Sequence, residues 1–175
     1  MGDNYNMKKR KTVRKPGRTI VLRSDVEFSP KDLVGLSSHN IVNNGKQFLV
    51  FDNIENSKNA FKILKTNPDV NVRFAYYRIF FKMSGLDESS DYTEVKKVHT
   101  EWIILNSGAD VLYYKQYKKD SKLIGCGDFT VDTKESMDKL LNKDELKMYT
   151  IDKYSGTFYR YNKKDDNTDD MVDMN

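Results

Sequence analysis

The sequence predicts an α+β fold: an antiparallel sheet with helices on one face, preceded by a strand-helix extension and flanked by polar tails. Three observations predict it. From Phe74 onward the readable elements run strand, helix, strand, strand, helix, strand. The stretch Val72 to Met83 (VRFAYYRIFFKM) is the longest run of strand-favouring residues, rich in aromatics and free of Gly and Pro. The chain has 175 residues, enough for one domain of ordinary size with a real core.

Composition narrows the class. Only 38% of residues are hydrophobic, which points to polar segments outside the core. No run is long enough to cross a membrane, and the polar, basic N-terminus has no apolar signal region; an intracellular, reducing compartment is expected. Cys126 is the sole cysteine, which excludes an internal disulfide and a cysteine-rich metal site. The net charge of +4 is unevenly spread. Lys8 to Arg18 reads KKRKTVRKPGR, with no acid, whereas Asp165 to Asp173 reads DDNTDDMVD, with no cation. Both ends are expected to be disordered. The basic arm suits phosphate backbones or nuclear import, or simply keeps the chain soluble.

In chain order, Arg18 to Arg23 (RTIVLR) reads as a short strand. Ser29-Pro30 suits the start of a short helix, SPKDLVGL, with Ser as cap and Pro in the first turn. Asn43-Asn44-Gly45 is a turn signal, with His39 in a polar loop before it, and Gln47 to Phe51 is a buried strand. Asp52, with Glu55 three places on, resembles a capping box, and Ile54, Ala60, Phe61 and Leu64 fall at helical spacing up to Asn67-Pro68. Along the central strand, taken from Phe74, Ala75, Tyr77, Ile79, Phe81 and Met83 share one face, and Phe74, Tyr76, Arg78, Phe80 and Lys82 the other.

A helix is expected from Asp91, its apolar stripe Tyr92, Val95, Val98, Trp102 and Leu105, with Gly108 at its end. His99 falls off that stripe and reads as solvated. Ala109 to Lys119 and Lys122 to Val131 form a hairpin about Asp120-Ser121. Asp132 and Glu135 repeat the acid-x-x-Glu helix start, ahead of Met137, Leu140 and Leu141. A final strand or hairpin spans Lys147 to Ile151 and Gly156 to Tyr161, turning at Tyr154-Ser155-Gly156. Val50–Phe61 and Thr130–Leu141 also resemble each other at an offset of about 80 residues, a hint of internal duplication.

The strand-helix-strand-strand-helix-strand order is the split βαβ, or ferredoxin-like, arrangement, whose sheet leaves one face open. From Val72 to Tyr161 the chain resembles an RNA-recognition-motif domain. Ile79-Phe80-Phe81 is similar to that family's first-strand signature, which implies a base-stacking role for Phe80. Ile124 to Val131 (IGCGDFTV) is similar to the third-strand motif. Gly125 and Gly127 match it, and Phe129 and Val131 fit inward positions. Cys126 and Asp128 stand where the family has outward aromatics; an Asp there repels phosphate and cannot stack. The abundance of Asn, Lys, Asp and Tyr also resembles the composition of proteins of large amoebal DNA viruses.

These readings divide the chain into a basic arm (1–18), an N-terminal strand-helix extension (19–71), a ferredoxin-like domain (72–162) and an acidic tail (163–175). The expected function is non-enzymatic nucleic-acid binding, single strands favoured over duplex. Cations would come from Lys8, Lys9, Arg10, Lys11, Arg14, Lys15 and Arg18. The sheet would contribute Tyr76, Arg78, Phe80, Lys82, Tyr113, Lys115 and Tyr117, rings stacking on bases and cations meeting phosphates. The alternative is a structural or protein-interaction protein, self-associating or serving as a virion component, with the aromatic face covered. No cofactor, metal or membrane partner is expected: there is no phosphate loop, no His or Cys set at ligand spacing, and only a generic Cys126–His99 pair for nucleophilic chemistry.

Overall fold

The computed structural model describes residues 15–24, 30, 32–141 and 148–160. The expected acidic tail, and the basic arm as far as Arg14, lie outside them. The described residues form two antiparallel sheets and three helices, an α+β architecture.

The C-terminal sheet comprises β5 (Tyr77–Ser84), β6 (Val111–Lys119), β7 (Lys122–Val131), β8 (Met148–Ile151) and β9 (Tyr154–Arg160). Its spatial order is β6-β7-β5-β9-β8. Helix α2 (Tyr92–Ser107) connects β5 to β6, and α3 (Lys134–Leu140) follows β7. This is the expected ferredoxin-like sheet, with β8 added at the edge as the hairpin partner of β9. Alternation decides which face is covered: Tyr77, Ile79, Phe81 and Met83 of β5 join Phe129, Val131 and Phe158 in a core closed by Val95 and Ile103 of α2 and Met137 and Leu140 of α3. Asp120 and Ser121 both adopt positive φ, which gives the tight β6–β7 turn. Gly127 is required by close approach, since a Cβ there would sit 2.0 Å from the Lys115 carbonyl oxygen.

The N-terminal segment is more than an extension. β1 (Thr19–Ser24), β2 (Leu36–Ile41), β3 (Gln47–Phe51) and β4 (Val70–Phe74) form a second sheet, ordered β2-β3-β1-β4, with α1 (Ile54–Lys65) between β3 and β4. Strand for strand, this is the order of β6-β7-β5-β9. No helix joins β1 to β2 among the described residues. The helix expected over SPKDLVGL is replaced, where described, by turns through Asp32–Gly35, with Gly35 at φ +76°. The similar stretches Val50–Phe61 and Thr130–Leu141 fall at corresponding junctions, β3 into α1 and β7 into α3. One face of the second sheet packs on α1 through Ile20, Leu22, Leu49, Phe51, Ala60 and Leu64. From its other face Val21 and Phe48 reach the C-terminal core.

Several local expectations are corrected. The run Val72 to Met83 is not one strand: it breaks at Ala75-Tyr76, and its halves belong to different sheets. The Ala75 N–H still donates to the Thr19 carbonyl (2.9 Å), continuing the β1–β4 pairing, whereas from Tyr77 on the chain pairs with β7 and β9. Both acid-x-x-Glu starts cap one residue later than read. Asn53 accepts from the Asn56 N–H, and Thr133 from the Ser136 N–H. The polar stretch Leu36–Ile41 is strand, not loop. The last turn is at Asp152-Lys153, with Asp152 at φ +50°.

His99 is the largest correction: it is fully buried. The buried line of α2 is Val95, His99, Ile103 and Ser107, while Leu105 is 85% exposed. The imidazole stands edge-on to Phe81 and Tyr114 and stacks with Tyr149 and Phe158. Its Nδ1 is 2.7 Å from the Tyr114 hydroxyl, which receives a hydrogen bond from Gln116 Nε2 (3.0 Å). Burial lowers the His99 pKa to about 3.

Candidate nucleic-acid interface

The uncovered face of the C-terminal sheet is set by strand register. On β5, Arg78, Phe80 and Lys82 point away from the helices. Opposite them on β7 stand Thr130, Asp128 and Cys126. On the other flank β9 places Tyr159 beside Phe80 and Thr157 beside Lys82. Strand β6 adds Tyr113 beside Thr130 and Lys115 beside Asp128, with Tyr117 beyond.

Three rings gather here. Phe80 is partly exposed and sits between Tyr117 (centroids 6.3 Å apart) and Tyr159 (6.2 Å), both tilted against it. Two exposed ammonium groups stand over the outer rings: Lys82 Nζ is 5.6 Å from the Tyr159 centroid, and Lys115 Nζ is 5.7 Å from that of Tyr117. Such pairs contribute of order 0.5–1 kcal/mol each at exposed sites; their larger effect is to hold cations beside flat apolar surfaces.

Asp128 does not stand free on this face. It is fully buried. Its Oδ2 accepts from Arg78 Nε (2.9 Å), from Arg78 Nη2 and from the Tyr117 hydroxyl (2.8 Å). Burial, then the hydrogen bond to Asp128, raises the Tyr117 pKa. The guanidinium offsets the carboxylate, so Lys82 and Lys115 set the sign of the charge on the patch.

The structure brings Arg78, Phe80, Lys82, Tyr113, Lys115 and Tyr117 onto one face, as their alternation predicts. Tyr76 is elsewhere, in the β4–β5 connection, because the strand begins at Tyr77. Lys8, Lys9, Arg10, Lys11 and Arg14 lie outside the described residues. Lys15 is exposed. Arg18 is held by Asp132, a fully buried carboxylate, through Nε–Oδ2 at 2.5 Å, and that partner raises the Arg18 pKa. Thr19 Oγ1 donates to the Asp132 carbonyl (2.7 Å), and Ser57 Oγ donates to the Gly17 carbonyl (2.8 Å). Residues 17–19 are thus clamped between α1 and the end of β7. Tyr159 was not singled out from sequence, although the alternation of Phe158 inward and Tyr159 outward carries the signal.

Other chemistry is not assembled among the described residues. Cys126 is on the open face and His99 in the core on the opposite side, so they do not pair. No group of three or more His, Cys, Asp or Glu among the described residues is placed to hold a metal ion, and no described helix is long and apolar enough to cross a membrane. A cleft of ≈ 990 Å³ opens where the second sheet meets the start of α3, lined by Ser38, Asn40, Phe48, Val50, Lys134 and Asp138 among others.

No protein-family model matches the chain, and no curated protein does. Among solved structures it is similar to the C. elegans NONO-1 homodimer, at 14% identity and TM-score 0.42, over 90% of this chain and 69% of that one. It is also similar to a Sxl-lethal protein/RNA complex, at 9% identity and TM-score 0.28, over 71% of this chain and 87% of that one. At these values neither likeness bears on what the chain binds; the fold rests on strand order and register.

Proposed function

We propose that the chain is a non-enzymatic binding protein for single-stranded nucleic acid. The observation that carries this reading is the platform Tyr117–Phe80–Tyr159 with Lys82 and Lys115 over its outer rings. Flat rings accept bases of any sequence, and the ammonium groups meet the phosphates that run past them. A duplex hides its base faces and cannot use the rings.

The clamp on residues 17–19 supports a contribution from the basic arm. It roots the arm at Asp132, just past the end of β7 and four residues beyond Asp128, roughly 13 Å at strand spacing. From Arg18 back to Lys8, ten residues extend at most ~33–36 Å, enough to cross the open face. Arg18 itself serves as the anchor, and Lys8, Lys9, Arg10, Lys11, Arg14 and Lys15 remain as phosphate contacts.

Fluorescence anisotropy with labelled single-stranded RNA, single-stranded DNA and duplex DNA, at low and physiological salt, tests the proposal. Preferential single-strand binding that persists at physiological salt is expected. Replacing Lys8, Lys9, Arg10 and Lys11 by Ala should flatten the salt dependence by up to about 0.7 in slope per lost phosphate contact. Equal binding to all three that vanishes with salt would credit the arm alone. No binding at low salt would overturn the proposal and favour a protein partner.

A further inference from the structure

Strand β9 delivers the chain onto the ring platform. Tyr159, one of the three rings, is the next-to-last residue of β9 and stands across from Phe80. Residue 161 therefore follows at the margin of the open face, and the acidic tail comes after it. Lys115, Asp128, Phe80 and Tyr159 form one cross-strand row over β6, β7, β5 and β9, three strand spacings or roughly 14–15 Å from end to end. Lys82 is nearer still, opposite Thr157 on β9. From Arg160 to Asp169 nine residues extend at most ~30–32 Å, so the tail's carboxylates have the reach to meet both ammonium groups.

The tail matches the platform in charge and in apolar character. Asp165 to Asp173 holds five carboxylates and no cation. Lys82 and Lys115 are exposed, each over a ring, and neither pairs with a carboxylate among the described residues. The last acids are interleaved with apolar residues: Asp169 to Met174 reads DDMVDM. Methionine thioethers pack favourably on aromatic rings, and carboxylates beside them are placed to meet cations held over those rings. A single strand offers this face the same pattern, anions flanking flat apolar groups.

We propose that the open face of the C-terminal sheet docks the chain's own acidic tail, Asp165 to Met174, which occupies the ring platform and competes there with single strands. Its methionines pack on the rings, and its carboxylates pair with Lys82 and Lys115. Covalent linkage makes the docking intramolecular, at an effective concentration set by the residues between, and an incoming strand must displace the tail. Salt weakens the contact, because exposed charges are screened. Docking stands on the face itself; the competition rests on the single-strand reading above.

Zero-length carbodiimide coupling, which joins a carboxylate to an amine in contact with it, tests docking on the full chain without nucleic acid. Couplings from Asp165–Asp173 to Lys82 or Lys115 are expected in the monomer, mapped by mass spectrometry, and should fade at high salt. Exposed Lys58 on α1 and Lys96 and Lys97 on α2 serve as controls. Couplings spread evenly over those controls, confined to Lys8–Lys15, or formed only between two chains would overturn the docking. Anisotropy with the labelled oligoribonucleotide U8 then compares the full chain with a variant carrying Asp165→Asn, Asp166→Asn, Asp169→Asn, Asp170→Asn and Asp173→Asn. The variant should bind U8 about three- to tenfold tighter at low salt, the scale of a few exposed ion pairs. With Lys82→Gln and Lys115→Gln added to both proteins, that gain should fall toward one. A gain that persists there marks repulsion at a distance and overturns the docking; equal affinity of the first two proteins overturns the competition. Failure of both to bind U8 overturns the single-strand reading, while the couplings still decide docking.

Discussion

Acidification tests the account of the C-terminal core. His99 is neutral in the folded protein, with a pKa lowered to about 3 by burial. In the unfolded chain an imidazole titrates near 6.5. Below that value the unfolded state takes up a proton that the folded state refuses, so stability falls as pH falls, and keeps falling until the folded pKa is reached. The loss between pH 7 and pH 5 from this one group is about 2 kcal/mol, approaching the full slope of ~1.4 kcal/mol per pH unit. The groups around the ring add no competing titration in that window: Phe81 and Phe158 do not ionise, and burial raises the Tyr114 and Tyr149 pKa values well above it. Urea unfolding at pH 7, 6 and 5 would measure the effect, with His99→Phe as comparison. The substituted chain keeps a ring in the aromatic cluster and should lose most of the wild-type pH dependence. An equal dependence in both proteins would refute the reasoning, as would an NMR titration of the native His99 imidazole with a midpoint near 6.5.

Three further outcomes are expected. Phe80→Ala should lower stability by only about 1–2 kcal/mol, below the ~3–5 of a core phenylalanine, while single-strand affinity falls by about 1–3 kcal/mol; denaturant melts and anisotropy on the same samples separate the two. Arg18→Ala leaves the buried Asp132 carboxylate without its cation and should cost about 1–3 kcal/mol, read as a lower urea midpoint. Gly127→Ala forces a methyl group onto the Lys115 carbonyl and the Phe81 ring and should cost at least ~2 kcal/mol, seen as a lower melting temperature.

The C-terminal half was legible in sequence because each strand alternates cleanly and its turns carry strong residues. Asp120-Ser121 and Gly108 punctuate where the backbone demands positive φ. The open face was legible for the same reason, down to the inward Phe129 and outward Asp128. The second sheet was not, because β2 reads LSSHNI, a polar edge strand exposed along almost its whole length, and hydrophobic periodicity has nothing to mark there. Alternation also ran unbroken through Ala75-Tyr76, hiding a change of sheet that only pairing reveals. His99 was misplaced because Val98 and Leu105 make an apolar stripe more obvious than the true one, although Val95, His99 and Ile103 are spaced four apart. The caps slipped by one because Asp132 has another partner, Arg18, which sequence spacing cannot show across 114 positions.

The clamp on residues 17–19 also imposes an order on synthesis. All four strands of the first sheet lie before Tyr77, so that sheet can pair as soon as β4 leaves the ribosome. Val21 and Phe48 on its second face wait for the C-terminal core that they join, and Arg18 does not meet the carboxylate of its clamp until Asp132 is made. At ≈ 5–20 residues per second, the intervening stretch of roughly sixty residues takes several seconds. For that interval the nascent chain carries a sheet face and an arginine that both still lack the partners they have in the folded protein.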